Sequence, residues 1–156
     1  MEINLDNIDI QILKLMQTNA RISNAELARE LSMAPSAVLE RVKKLEQKKV
    51  ITGYYTQIEP AAVHQKLLAF IFIKSSEGFS CNSKTAQALA KIPEVQEVHH
   101  IAGEDCFLIK VRTEDSASLM NFMRNQMQKI PNIASTKTTI VLETVKEQQQ
   151  IVLPKK

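Results

Sequence analysis

The side chains best placed for chemistry fall into two groups, one cationic and one built around a glycine. Arg41, Lys43, Lys44, Lys48 and Lys49 stand within nine residues, opposed there only by Glu46. The first 60 residues carry eight Lys/Arg and eight Asp/Glu, so this is a local patch on a neutral segment. Such a patch is a stronger nucleic-acid signature than overall charge, which is only +3. A solvated helix face has the same composition, and charge by itself favours that plainer reading.

The second group is the run His99-His100-Ile101-Ala102-Gly103-Glu104-Asp105-Cys106. Gly103 frees the backbone to turn, and amides beside Glu104 and Asp105 suit the charged ends of an amino acid. A plain hairpin turn favours Gly and Asp for conformation alone. His99 and His100 are adjacent on a predicted strand and point to opposite faces, so they do not share an ion. Further ligands are too few for a structural zinc site. Met120, Met123 and Met127 read as core filler rather than a cofactor box.

Neither group makes an active site, because the chain offers no paired acid and base, no nucleophile constellation and no phosphate-cradling loop. Cys81 and Cys106 lie far apart with no ligand spacing. They are expected to be reduced, in a cytosolic setting, rather than part of a disulfide framework. The N-terminus is acidic and lacks a basic region before an apolar core, so export is not expected. The longest apolar run, residues 67–73, suits a buried strand and is too short for a membrane span.

The elements that must position these groups follow from periodicity. Ile8, Ile12, Leu15 and Met16 form a helical stripe over residues 8–18, with Asp6 and Asp9 spaced as an N-terminal cap. Ser23 and Glu26 make a capping box for a second, short helix with Leu27 and Leu31 inward. Pro35 suits the first turn of a third, running to about Lys48 with Val38, Val42 and Leu45 on its buried side. Two short helices and a tight turn describe a helix-turn-helix. Its outward face carries Ser36, Ala37, Glu40 and Arg41 near the start, where base edges are read, followed by cations suited to phosphates. Residues 50–55, β-branched and aromatic, are expected to form a wing strand.

The second half reads strand, helix, strand, strand, helix, strand over residues 67–73, 83–92, 95–101, 107–112, 115–130 and 133–145. This βαββαβ order is ferredoxin-like, with both helices on one face of a four-stranded antiparallel sheet. Residues 67–73 do not alternate, so both faces of that strand are expected to be buried. A second copy of the sheet is the simplest cover, which gives a two-fold dimer. The fold class is therefore α+β. The expected divisions are residues 1–55 for the winged helix-turn-helix, 56–66 for a linker and hinge strand, 67–145 for the second domain and 146–156 for a tail.

Glu26-Leu27-Ala28, Leu39-Glu40-Arg41-Val42-Lys43-Lys44-Leu45-Glu46 and Val50-Ile51-Thr52-Gly53-Tyr54 resemble the DNA-binding half of the Lrp/AsnC regulators. The resemblance keeps its register through nearly the whole chain. Three positions depart from it: Ser32 and Lys49 stand where the family usually has glycine, and Ala34 where it has a serine N-cap.

The resemblance implies a C-terminal domain of the RAM type that dimerises sheet to sheet, with dimers assembling into tetramers or octamers. It also implies an amino-acid effector lying between neighbouring dimers. Ile101, Ala102, Gly103, Glu104, Asp105 and Cys106 carry the implied effector loop, with Thr136 and Thr138 contributing from across the interface. Cys106 falls where relatives typically carry an acidic residue before an aromatic, here Phe107. The implied partner is double-stranded DNA in the cytoplasm, on the nucleoid, with no cofactor. The implied function is a transcriptional regulator whose assembly or DNA affinity responds to an amino acid. An architectural DNA-wrapping protein that needs no effector is the alternative, supported by Cys106.

Overall fold

Reciprocal caps start the first two helices. The computed structural model describes residues 4–76 and 83–154. In α1, Asn7–Thr18, the Asp9 amide donates to Asp6 Oδ1 at 2.8 Å and the Asp6 amide returns a bond to Asp9 Oδ2 at 3.2 Å. In α2, Asn24–Glu30, Ser23 and Glu26 repeat the arrangement. Each box satisfies two of the amides that a helix start leaves without partners.

The turn into α3, Pro35–Gln47, is closed by the Met33 amide donating to the Ala28 carbonyl at 2.9 Å. Ser32 in that turn has φ 52°. Proline opens α3, but Ala34 at the N-cap supplies no side-chain bond. At the other end Lys49 has φ 57°, and the Val50 amide donates to the Leu45 carbonyl at 2.9 Å. All three departures from the family pattern therefore sit where geometry asks for the missing residue type. Both positive-φ positions lie in the left-handed region that L side chains enter at a cost.

Ile12, Leu13, Leu27, Ala28, Val38, Val42 and Leu45 form the core of this first unit. The unit comprises Met1–Gln57 together with Glu147–Lys156. The expected wing strand is not formed: residues 50–55 pair with no strand among the described residues. Val50 and Ile51 pack on the helical core instead, and Tyr54 is fixed by its hydroxyl. β-Branched composition describes a half-buried surface, and without a partner ladder it does not make a strand. The expected hinge strand is likewise replaced by a 3₁₀ turn, Pro60–Val63, ended by His64 at φ 59°.

The second unit, Ile58–Lys146, is built on β1, Leu67–Ser75. Then follow α4, Ser83–Leu89, β2, Val95–His100, β3, Phe107–Thr113, α5, Ser116–Asn125, and β4, Ile133–Ile140. The strand order is β2-β3-β1-β4 and all pairings are antiparallel, as the sequence pattern requires. The last helix breaks into a 3₁₀ turn, Met127–Lys129, and β4 ends five residues before the expected Val145.

Ala69, Ile71 and Ile73 on β1, with Phe107, Ile109 and Val111 on β3, bury one sheet face under Leu89, Leu119 and Phe122. Phe70 and Phe72 alternate onto the opposite face and are half-buried, while Leu68 beside them is buried. Glu97, His99 and Lys110 lie on the same face, where Glu97 bonds His99 Nε2 at 3.1 Å and Lys110 Nζ at 3.2 Å.

One expectation is overturned here. Cys106 is disulfide-bonded rather than reduced. The only other cysteine of the sequence, Cys81, lies outside the described residues. The Cys106 amide donates to the Ile73 carbonyl at 2.9 Å, near the end of β1.

Candidate DNA-reading helix and effector loop

The buried stripe of α3 fixes what its other side presents. With Val38, Val42 and Leu45 turned into the core, Ser36, Glu40 and Lys43 form an exposed row at i, i+4, i+7. Ala37 and Lys44 are exposed on the flank nearest α1, and Lys48 and Lys49 are exposed at the helix end. Gln47 extends the first row by one further turn; its i+4 spacing from Lys43 was the available signal, and the charge pattern passed over it.

Arg41 is held differently from its neighbours. Its Nη1 donates to Asp6 Oδ2 at 2.6 Å and to Asp9 Oδ1 at 2.9 Å, so both capping carboxylates of α1 are bridged to α3. The amide of Asp9 and then Arg41 hold the Asp6 carboxyl below its ordinary 3.8, and the two carboxylates hold the Arg41 guanidinium above its own. Ala37, Glu40, Arg41, Lys44 and Lys48 line one side of an open cleft of about 400 Å³ whose other side is Leu5, Asp6 and Asp9. The net positive field of α3 is thus partly neutralised along this flank; Lys43 pairs with Glu40 Oε1 at 3.9 Å, and Lys44, Lys48 and Lys49 are exposed cations. At the helix end the Tyr54 hydroxyl donates to Glu46 Oε1 at 2.8 Å; burial first and Glu46 second raise its pKa to about 12.

The loop between β2 and β3 is closed by the Ile101 amide donating to the Cys106 carbonyl at 3.0 Å. Ala102, Gly103 and Glu104 are exposed, whereas Ile101 and Asp105 are half-buried. A Cβ built on Gly103 would meet nothing within 4 Å, so packing within the chain does not require glycine there. Cys106 is 8% exposed and belongs to the sheet core, which turns its side chain away from solvent.

Thr136 and Thr138 are exposed on β4, in register with Ile73 and Ile71. Because β1 stands between β4 and β3, Thr136 lies two strand spacings from Phe107, roughly 10 Å. Within one chain the two threonines are therefore not brought to the loop. His100 stacks obliquely on Phe107 at 5.3 Å between ring centroids, on the side of the sheet opposite His99.

Comparison with known proteins decides what this arrangement is. Residues 5–46 match the AsnC-type helix-turn-helix domain, and residues 68–151 match the Lrp/AsnC ligand binding domain. The leucine-responsive regulatory proteins of Escherichia coli K12 and Klebsiella pneumoniae are each 32% identical over 150 residues, covering 96% of this chain and 92% of theirs. The chain belongs to the Lrp/AsnC family.

This Lrp/AsnC chain is similar along its length to solved relatives. The E. coli AsnC structure aligns with a TM-score of 0.81 at 30% identity, covering 95% of this chain and 99% of that one. A Neisseria meningitidis regulator solved with L-methionine aligns at 0.87 and 26% identity, covering 96% and 97%. The chain is a transcriptional regulator with a DNA-binding helix-turn-helix and a ligand-binding domain, and not an enzyme. Among the described residues no helix is long and apolar enough to cross a membrane.

Besides Gln47, reading by sequence missed three contributors to the DNA head. Asp6 and Asp9 were visible as caps but not as partners of Arg41, which lies 35 and 32 residues away. Gln17 was counted only as part of a helix, yet it is the anchor for the C-terminal segment.

Proposed function

We propose that this regulator binds DNA as a dimer or higher assembly and that a small amino acid bound at residues 101–106 changes its assembly or its DNA affinity. Ser36, Ala37 and Glu40 face base edges, while Lys43, Lys44, Lys48 and Lys49 neutralise phosphates; Arg41 braces the reading helix. Dimerisation is supported by the Phe70 and Phe72 face, which a second sheet would cover, and it sets two heads against half-sites about one helical turn apart. The regulator then acts in the cytoplasm, on the nucleoid.

The observation that carries the effector reading is the exposed loop around Gly103, whose backbone is open to approach, in a chain similar to a regulator solved with L-methionine. An effector that binds one assembly state better shifts the population toward it, and the coupling is reciprocal with DNA. Thr136 and Thr138 would meet the site only from a second copy. Calorimetric titration with the twenty amino acids, repeated on Gly103→Val and Glu104→Ala, tests the proposal. Binding that is weakened by both substitutions is expected. If no amino acid binds while DNA binding persists, the effector-free architectural role replaces it.

A further inference from the structure

The C-terminal segment is not a loose end. The chain leaves the effector unit after Lys146, and Glu147–Lys156 joins the DNA head, although the ligand-binding family match extends to residue 151. The anchor is Gln17, in the last turn of α1. Its Oε1 accepts from the Ile151 amide at 2.9 Å, and its Nε2 donates to the Ile151 carbonyl at 3.2 Å. One carboxamide therefore satisfies both backbone groups of one residue, as a neighbouring strand would.

In return, Gln150 Nε2 donates to the Gln17 carbonyl at 2.8 Å. That carbonyl is one of the four that the end of α1 leaves without a helical partner. Leu153 then packs on the head core, while Val152 between the anchors is fully exposed. The contact reads backbone groups, one glutamine and one leucine, so it recognises this segment by shape and position.

We propose that this segment is a clasp that gives the DNA head a second tether to the effector unit and thereby sets the half-site spacing the regulator accepts. The chain crosses between the units at residues 57–58 and again at 146–147. A head held by a single linker samples many positions; a second short linker of six residues after β4, at most about 20 Å long, restricts them. Restriction matters for a paired reader, because the second head binds at an effective concentration fixed by linker reach and stiffness. The inference rests on the paired-head reading of the proposed function.

The test uses the full-length protein, Gln17→Ala, Leu153→Ala and a chain ended after Lys146. Alanine at position 17 favours the helix, so α1 itself is retained. Affinity is measured for DNA with one half-site and for DNA with two half-sites at spacings varied through a full helical turn. The wild type is expected to favour in-phase spacings strongly, whereas each variant keeps its single-site affinity and loses about tenfold of the in-phase preference. Exchange of the Ile151 amide is expected to be slow in the wild type, where Gln17 Oε1 holds it, and fast in Gln17→Ala. Variants with an unchanged spacing preference overturn the clasp, as do variants whose single-site affinity falls by the same factor. A wild type indifferent to spacing overturns the paired-head reading itself, a result separable from the other two.

Discussion

Arg41 offers the sharpest separation between a side chain that reads DNA and one that holds the reader in place. Its Nη1 bridges Asp6 and Asp9, whose side chains are 52% and 17% exposed, with Arg41 itself at 32%. The exposed Asp6 arm contributes roughly 0–1 kcal/mol. The more sheltered Asp9 arm, a charge-assisted bond, adds about 1 kcal/mol. Arg41→Met keeps most of the apolar stem and removes both bonds, so the head is expected to lose about 1–2 kcal/mol. At roughly 4–8 °C per kcal/mol for a domain of this size, the melting transition of the head falls measurably.

The loss should also be pH-dependent, with a determined sign. Because the Asp6 carboxyl is held below its ordinary 3.8, its contribution is present above that value and disappears as pH falls through the lower folded one. Wild type and Arg41→Met therefore converge in acid. The assay pairs thermal melting between pH 7 and acid with DNA affinity across a salt series. A brace predicts a lower melting temperature and an unchanged salt slope. A phosphate contact predicts the reverse: an unmoved melting temperature and a slope shallower by about 0.9. The second pattern refutes the brace.

Two further outcomes follow from the head. Restoring Ser32→Gly, Ala34→Ser and Lys49→Gly together relieves two left-handed side chains and supplies the missing cap, for a gain of roughly 2–3 kcal/mol read by denaturant melting. If Lys49 also holds a phosphate, its replacement alone makes the salt dependence of DNA affinity shallower by about one unit. Tyr54→Phe removes the bond to Glu46 and costs about 0.5–1 kcal/mol at neutral pH. In the parent, with the Tyr54 pKa raised to about 12, the stabilisation is complete below the unfolded value of 10.0 and is lost as pH rises through 12, which an ultraviolet titration checks. A Tyr54 phenol ionising at the unfolded value would remove this contact from the account of the wing segment.

What was legible in the sequence is what physics decides locally. Asp6 with Asp9 and Ser23 with Glu26 announce helix starts because a cap is satisfied within three residues. The unbroken apolar run of β1 announced a strand; Ala69, Ile71 and Ile73 are buried under the helices, and Phe70 and Phe72 are half-buried on the face that the helices leave uncovered. Contacts between distant residues were not legible. Arg41 counted as one more cation of a patch because its partners lie on another helix. The strand-like run at residues 50–55 packs against helices instead of pairing, and the disulfide of Cys106 has no local spacing signal. The C-terminal segment read as a tail because a glutamine seat on α1 has no periodicity.

These non-local contacts bear on why the reading helix tolerates poor local chemistry. With serine and lysine at positive φ and alanine at its cap, the helix-turn-helix forgoes roughly 2–3 kcal/mol that the usual residues would supply. The bridge from Arg41, midway along α3, to the α1 cap, the Tyr54–Glu46 bond near the end of α3 and the clasp on α1 engage groups outside the two-helix motif and are together of similar size. A head stabilised in this way depends on its neighbouring segments, one of which arrives directly from the effector unit. Transplanting residues 1–55 alone should therefore give a weaker head than the same residues carrying the three restored side chains. The glycine and serine replacements matter most where the tail is missing.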